Sequence, residues 1–204
     1  MIEAIIFTIG HSNHPIDKFL NLLKESEINM VVDVRSAPFS KMFPQFNQES
    51  LKNSLSDIAI GYLFLGDQIG GRSDDPDDYV DNQVVYNLLA KKEVFKTGIN
   101  RLMKGAAEYQ IAVMCSEKEP LDCHRTLLVS ETLAIEGVGV RHIYADGTIE
   151  THENALARLL TLHKLDSPDL FSDDSGRLKE ALTLQEKKIA FKLSKPSDSR
   201  EEFE

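Results

Sequence analysis

The sequence predicts an α/β fold: a mostly parallel sheet with helices on both faces, a three-layer sandwich of Rossmann-like type, with a C-terminal helical extension. Two observations predict it. Short runs that are apolar almost throughout, such as Met30-Val-Val-Asp-Val-Arg35 and Ile111-Ala-Val-Met114, alternate with stretches of helical periodicity. Runs apolar at every position suit strands buried on both faces, which is the condition of a parallel sheet covered by helices.

Each element follows in order. Ile5-Ile-Phe-Thr-Ile9 is β-branched and aromatic and is bounded by Gly10, which reads as a strand. Ile16, Phe19, Leu20 and Leu23 recur at the spacing of one helical face, and Pro15 suits the first turn. The strand Met30–Arg35 completes a βαβ unit, whose crossover should be right-handed. Residues 48–55 predict a short helix, Tyr62-Leu-Phe-Leu65 a third strand, and residues 79–109 helices broken near Gly98. A fourth strand spans 111–114 and a fifth spans 140–144, with a helix between them carried by Leu127, Leu128, Ala134, Ile135 and Val138. Residues 153–163 predict another helix, 166–176 a polar loop, and 177–193 a terminal helix before a charged, frayed tail. Residues 1–165 are thus read as one α/β domain carrying the site. Residues 166–204 are read as a linker, a helix packing on that domain, and the tail.

Composition narrows the function classes. The 204 residues carry 23 basic and 33 acidic side chains, a formal net charge of −10. A surface made to wrap nucleic acid non-specifically is basic overall, so nucleic acid stays as a partner only through a local pocket. No apolar run approaches the roughly 18–20 residues of a membrane span, and membrane is not an expected partner. The opening Met-Ile-Glu-Ala-Ile-Ile-Phe lacks a basic region and a cleavage site, so it reads as a mature strand. Two cysteines make no disulfide framework, and the expected compartment is a reducing cytoplasm with both thiols free.

The densest chemistry lies in Cys115-Ser-Glu-Lys-Glu-Pro-Leu-Asp-Cys-His-Arg125, between a strand and a helix. Open α/β sheets bind ligands at the C-terminal ends of their strands. That edge should also collect His11, Ser12, Arg35, Gly70, Gly71, Arg72 and Asp146. Cys123, His124 and Arg125 fall in the first turn of the predicted helix, where free N–H groups favour an anion and arginine adds a bidentate fork. The alternative is structural, with Arg125 paired to Glu117 or Glu119. Arg35 either reaches the cleft or pairs with Asp33. His11 could move protons near neutral pH or could simply be hydrogen-bonded to a neighbouring strand. Gly10-His11-Ser12 is neither a Gly-x-Gly-x-x-Gly turn nor a P-loop, which excludes a dinucleotide fingerprint and a Walker-type site.

Cys115 could act as a nucleophile, but a tyrosine-phosphatase loop needs arginine six residues on. Leu121 and Val129 occupy those places. Zinc held by Cys115, Cys123, His124 and His11 is a weaker alternative, because adjacent Cys-His ligands are awkward in a tetrahedron. No other cofactor is expected. Asp74, Asp75, Asp77 and Asp78 lack a calcium-loop pattern.

Taken together, Thr8-Ile-Gly-His-Ser12, Val32-Asp-Val-Arg35, Pro44, Phe46, Leu65-Gly66, Gly70-Gly71-Arg72, Cys115-x-Glu117-x-x-Pro120-x-x-Cys123-His-Arg125 and His142-Ile143 with Asp146-Gly147 resemble domain-of-unknown-function family 488. Gln185-x-x-Lys-Ile-Ala190 is similar too. The resemblance implies a compact α/β protein and implies no activity. The leading expectation is a hydrolase or transferase acting on a small anionic substrate, a nucleotide or nucleic-acid end. Arg35, Arg72 and Arg125 would hold the anion, with Ser12, Gly70, Gly71, Cys123 and Asp146 lining the site. His11, Cys115, Glu117 and His124 would carry the chemistry. On that reading Arg125→Ala removes binding and leaves the fold intact. The rival expectations are an anion-binding module without chemistry, and a thiol or metal protein.

Overall fold

Five parallel strands and one antiparallel edge strand form the central sheet of the computed structural model, which describes residues 4–167 and 173–193. The strands are β1 (Ile5–Gly10), β2 (Met30–Asp33), β3 (Gly61–Phe64), β6 (Ile111–Cys115), β7 (Gly139–Ile143) and β8 (Ile149–Thr151). A separate hairpin joins β4 (Tyr79–Val80) to β5 (Gln83–Val84). The sheet order is β3-β2-β6-β1-β7-β8, with only β8 antiparallel. The expected α/β fold is therefore present.

Two apolar layers cover the sheet. Helices α1 (Ile16–Glu25) and α2 (Gln48–Ser56) pack Phe19, Leu22, Leu23, Leu51 and Leu55 against Phe7, Ile9, Val31, Ala112 and Met114. The alternate residues Ile6, Val32, Val113 and Val140 face the other way, as the period of a strand requires. There they meet α3 (Gly66–Ile69), α4 (Tyr86–Leu89), α5 (Glu93–Gly105), α6 (Glu131–Ile135), α7 (His152–Leu162) and α8 (Asp174–Ile189). Each large side chain so buried contributes about 1.5–3 kcal/mol.

Three expectations are corrected. Residues 79–84 form the hairpin rather than helix, and Gln83 bridges Lys192. Helix α5 runs unbroken through Gly98. A Cβ at Gly98 would lie 2.5 Å from Ile69 Cγ2. The glycine serves the close packing of α3 on α5, not a helix break. Helix α8 begins at Asp174 and ends at Ile189, after which the chain is extended enough for Phe191 O to accept from Val84 N–H. The predicted tail from residue 195, the start of the chain at Met1–Glu3 and residues 168–172 of the predicted loop lie outside the described residues. No helix among the described residues is long and apolar enough to cross a membrane.

Candidate functional site

The site sits where β1, β2 and β6 end side by side. Gly10 pairs with Cys115, and the pairing continues as His11 N–H donates to Cys115 O and Ser12 N–H to Ser116 O, both at 2.9 Å. The loop after β6 then folds over the end of β1. A Cβ at Gly10 would lie 1.9 Å from Glu117 O, so only glycine admits this crossing. Gly71 serves likewise on the other side: a Cβ there would lie 2.7 Å from His124 Cγ.

A cavity of about 170 Å³ opens at this edge. Arg35, Gly71, Arg72, Cys115, Glu117, Cys123 and His124 line it, all named from the sequence. So do Tyr86, Ser116, Asp122, Ile189 and Phe191, which sequence reasoning missed. Tyr86 lies inside a helical run and gives no local signal. Ile189 belongs to the family-like tail segment, and Phe191 follows directly on it. A larger cavity of about 690 Å³ shares Ser36, Ala37, Arg72 and Phe191 with the first and includes Gly70. His11 and Ser12 line a third concavity that shares Arg35, Arg72 and Ser116.

Asp146 and Arg125 are not brought into the pocket. The Asp146 carboxylate accepts from the backbone and hydroxyl of Thr148 in the turn after β7. Arg125 is fully buried, and its guanidinium donates to Glu117 O at 2.7 Å and Lys118 O at 3.4 Å. A basic residue in a helical first turn opposes the macrodipole. The reason for this one is that it reaches back and holds the loop that carries Glu117.

Arg35 donates through Nε and Nη2 to the Asp33 carboxylate, and through Nη2 to Phe46 O. The ion pair weighed from the sequence is thus formed, and Arg35 still lines the pocket. Its Nη1 faces His11 Nε2 at 3.1 Å, while His11 Nδ1 faces Ser12 O at 2.8 Å. A carbonyl can only accept, so Nδ1 carries the hydrogen and Nε2 takes the arginine's. Burial and the Arg35 charge hold His11 down at about 4, and the ring is neutral near pH 7 with both nitrogens engaged.

Cys123 Sγ donates to Glu117 Oε2 at 2.9 Å. Much of Glu117 is exposed to solvent, but its carboxylate turns inward onto this thiol. Burial and the neighbouring Cys123 push the Glu117 carboxyl up. Burial alone would raise the Cys123 thiol; Cys115, Arg125 and His124 outweigh it and bring it well down. The thiol and the carboxyl are thus shifted toward one another. Cys115 moves the other way, pushed up by burial and by Cys123. Burial alone would lower His124; Cys123 and Glu117 outweigh it and raise it. His124 Nδ1 lies 3.7 Å from Cys115 Sγ and 3.8 Å from Cys123 Sγ, and its Nε2 faces Val34 O at 3.1 Å.

Gln185 on α8 is fully buried and donates to Leu121 O and Asp122 Oδ1, both at 3.0 Å. The C-terminal helix thus fixes the loop that presents Cys123. The helix after that loop is π-helical over Arg125–Ser130, with Ser130 Oγ donating to Arg125 O at 2.7 Å. Such widened turns recur at functional sites.

A model of the domain of unknown function DUF488 matches residues 15–132, more than half of the chain. The chain belongs to the DUF488 family. The matched span holds Arg35, Gly70-Gly71-Arg72 and the whole Cys115–Arg125 segment. The pocket residues Ile189 and Phe191, and Gln185 that holds the loop, lie outside the DUF488 match. The comparisons with curated proteins and with solved structures each gave no match.

Proposed function

We propose that this DUF488 protein is an enzyme, a hydrolase or transferase, acting on a small phosphate-bearing or similarly anionic substrate. One observation carries the reading. Arg72, the pocket cation that no carboxylate among the described residues pairs, stands over Phe191 with its guanidinium 4.4 Å from the ring centroid. It does so at the rim of a pocket that also holds Cys115, Glu117, Cys123 and His124. Arg35 is already paired with Asp33. Arg72 therefore supplies the principal attraction for an anion, with a planar fork suited to phosphate. The small cavity fits an anionic head group. The larger cavity behind Arg72 fits the rest of a nucleotide-sized molecule. Glu117, with its raised carboxyl, gives and takes the proton.

The test is a thermal-shift screen with inorganic phosphate, nucleotides and short oligonucleotides, followed by turnover assays on the ligands that bind. A ligand at about 100 times its Kd should stabilise the wild type by about 2.7 kcal/mol. Arg72 is exposed, so Arg72→Ala should keep its own melting temperature and lose the ligand shift. A shift retained in Arg72→Ala, or none with any anion, would refute the reading. Glu117→Gln should bind and fail to turn over; full turnover in the variant would move the chemistry to another residue, and binding without turnover in the wild type would reduce the protein to a binding module.

A further inference from the structure

The floor of the pocket has the geometry of a metal centre. Cys115, Cys123 and His124 place two sulfurs and one ring nitrogen within 4.8 Å of one another, all three residues buried. A tetrahedral zinc has Zn–S near 2.3 Å and Zn–N near 2.0–2.1 Å, which puts sulfur and nitrogen about 3.6 Å apart. The two sulfur–nitrogen distances here are 3.7 and 3.8 Å.

The histidine is also set up as a ligand. Val34 O can only accept, so His124 Nε2 carries the hydrogen and the Nδ1 lone pair faces both sulfurs. A ligating histidine ordinarily has its other nitrogen fixed in this way. The adjacency of Cys123 and His124, awkward on paper, is resolved by the backbone. Cys123 is extended, with φ −138° and ψ 142°, while His124 is already helical, with φ −60° and ψ −26°. The change of direction between them turns both side chains to one point. His11, the fourth ligand weighed from the sequence, is instead held by Ser12 O and Arg35.

We propose that Cys115, Cys123 and His124 bind one zinc ion through Sγ, Sγ and Nδ1, with the fourth position facing the pocket and Glu117 beside it as proton acceptor. Two thiolates and an imidazole favour zinc over calcium or magnesium, which take oxygen ligands. Binding releases the two thiol protons and changes no oxidation state. The Glu117 carboxylate, now 2.9 Å from Cys123 Sγ, loses that hydrogen-bond donor and is freed to accept from a molecule in the fourth position. Three protein ligands with an open fourth place are the arrangement of catalytic rather than structural zinc. The role of the open position rests on the proposed function; the binding itself does not.

The experiment uses the purified, reduced full chain after treatment with a chelator. It is titrated with zinc against a chromophoric competitor, and with cobalt(II) read by absorption. The expected result is one equivalent of metal and a cobalt spectrum of tetrahedral thiolate type. Cys115→Ser and Cys123→Ser should lower affinity by more than about 100-fold, beyond what loss of a supporting hydrogen bond costs. Glu117→Gln should still take one equivalent. Failure of folded wild type to take up stoichiometric metal would overturn the site, as would a Cys115–Cys123 disulfide forming in its place. Loss of metal in Glu117→Gln equal to that in the cysteine variants would overturn the open fourth position. Arg72→Ala, which should keep cobalt and lose phosphate, separates failure of this site from failure of the anion reading.

Discussion

Arg125→Ala separates a residue that binds ligand from one that holds the site together. The side chain is 0% exposed. Truncation removes two buried methylenes, Cγ and Cδ, worth about 1.6 kcal/mol in all at about 0.8 each. It also removes a charge-assisted bond to Glu117 O at 2.7 Å, worth about 1.5–3 kcal/mol. The longer contact to Lys118 O at 3.4 Å adds little. Against this, the unfolded state no longer has a guanidinium to desolvate on folding, which recovers part of the loss. The net expectation is about 3 kcal/mol of destabilisation. A domain of this size loses roughly 2–4 °C per kcal/mol, so the melting temperature should fall by roughly 6–12 °C. Urea and thermal melts check it. A variant within about 0.5 kcal/mol of wild type that no longer binds phosphate would refute the reasoning. It would return Arg125 to direct contact with the ligand, as the sequence alone led one to expect.

Two further outcomes follow from the packing and the buried histidines. Gly98→Ala should destabilise by about 1–3 kcal/mol through the contact with Ile69, despite the roughly 1 kcal/mol that alanine gains in a helix; a stabilised variant in denaturant melts would sink that account. His142, fully buried between Thr8 Oγ1 and His152, is held by burial and by His152 at about 2, and His11 is held at about 4. Both folded values lie below the unfolded 6.5, so their contribution is present above pH 6.5 and is lost as pH falls from there. At pH 5 each costs about 2 kcal/mol, offset in part by His124, whose value is raised. Melts at pH 5 and pH 7 of wild type and His142→Gln should show a shallower pH dependence in the variant; equal slopes would remove His142 as a cause.

The five parallel strands were legible because they report their own burial, whereas the antiparallel edge strand Ile149–Thr151, with Ile149 exposed, was not. Ile5–Ile9, Met30–Val32 and Ile111–Met114 are apolar but for Thr8, with helices covering both faces. The edge of the sheet was legible as the place of the site, since parallel strands all end on one side. The short hairpin at residues 79–84 was not, because Val84 and Gln83 are held by Phe191 and Lys192 from the far end of the chain.

Within the site, the sequence by itself determined which reactive residues gather: Arg35, Arg72 and the segment from Cys115 to His124. Only the tertiary structure decided what each one does. Arg125 holds backbone carbonyls, which every residue possesses, so no spacing of side chains could have announced it. Gly98 and Gly10 are explained by neighbours that approach too closely for a Cβ, Ile69 and the carbonyl of Glu117. Phe191 reaches the pocket, and Gln185 the loop that presents Cys123, through the packing of the C-terminal helix, each more than sixty residues beyond Cys123. Periodicity along a chain records how much of an element is buried. It carries no record of which distant element does the burying, and that pairing sets the chemistry at the end of the sheet.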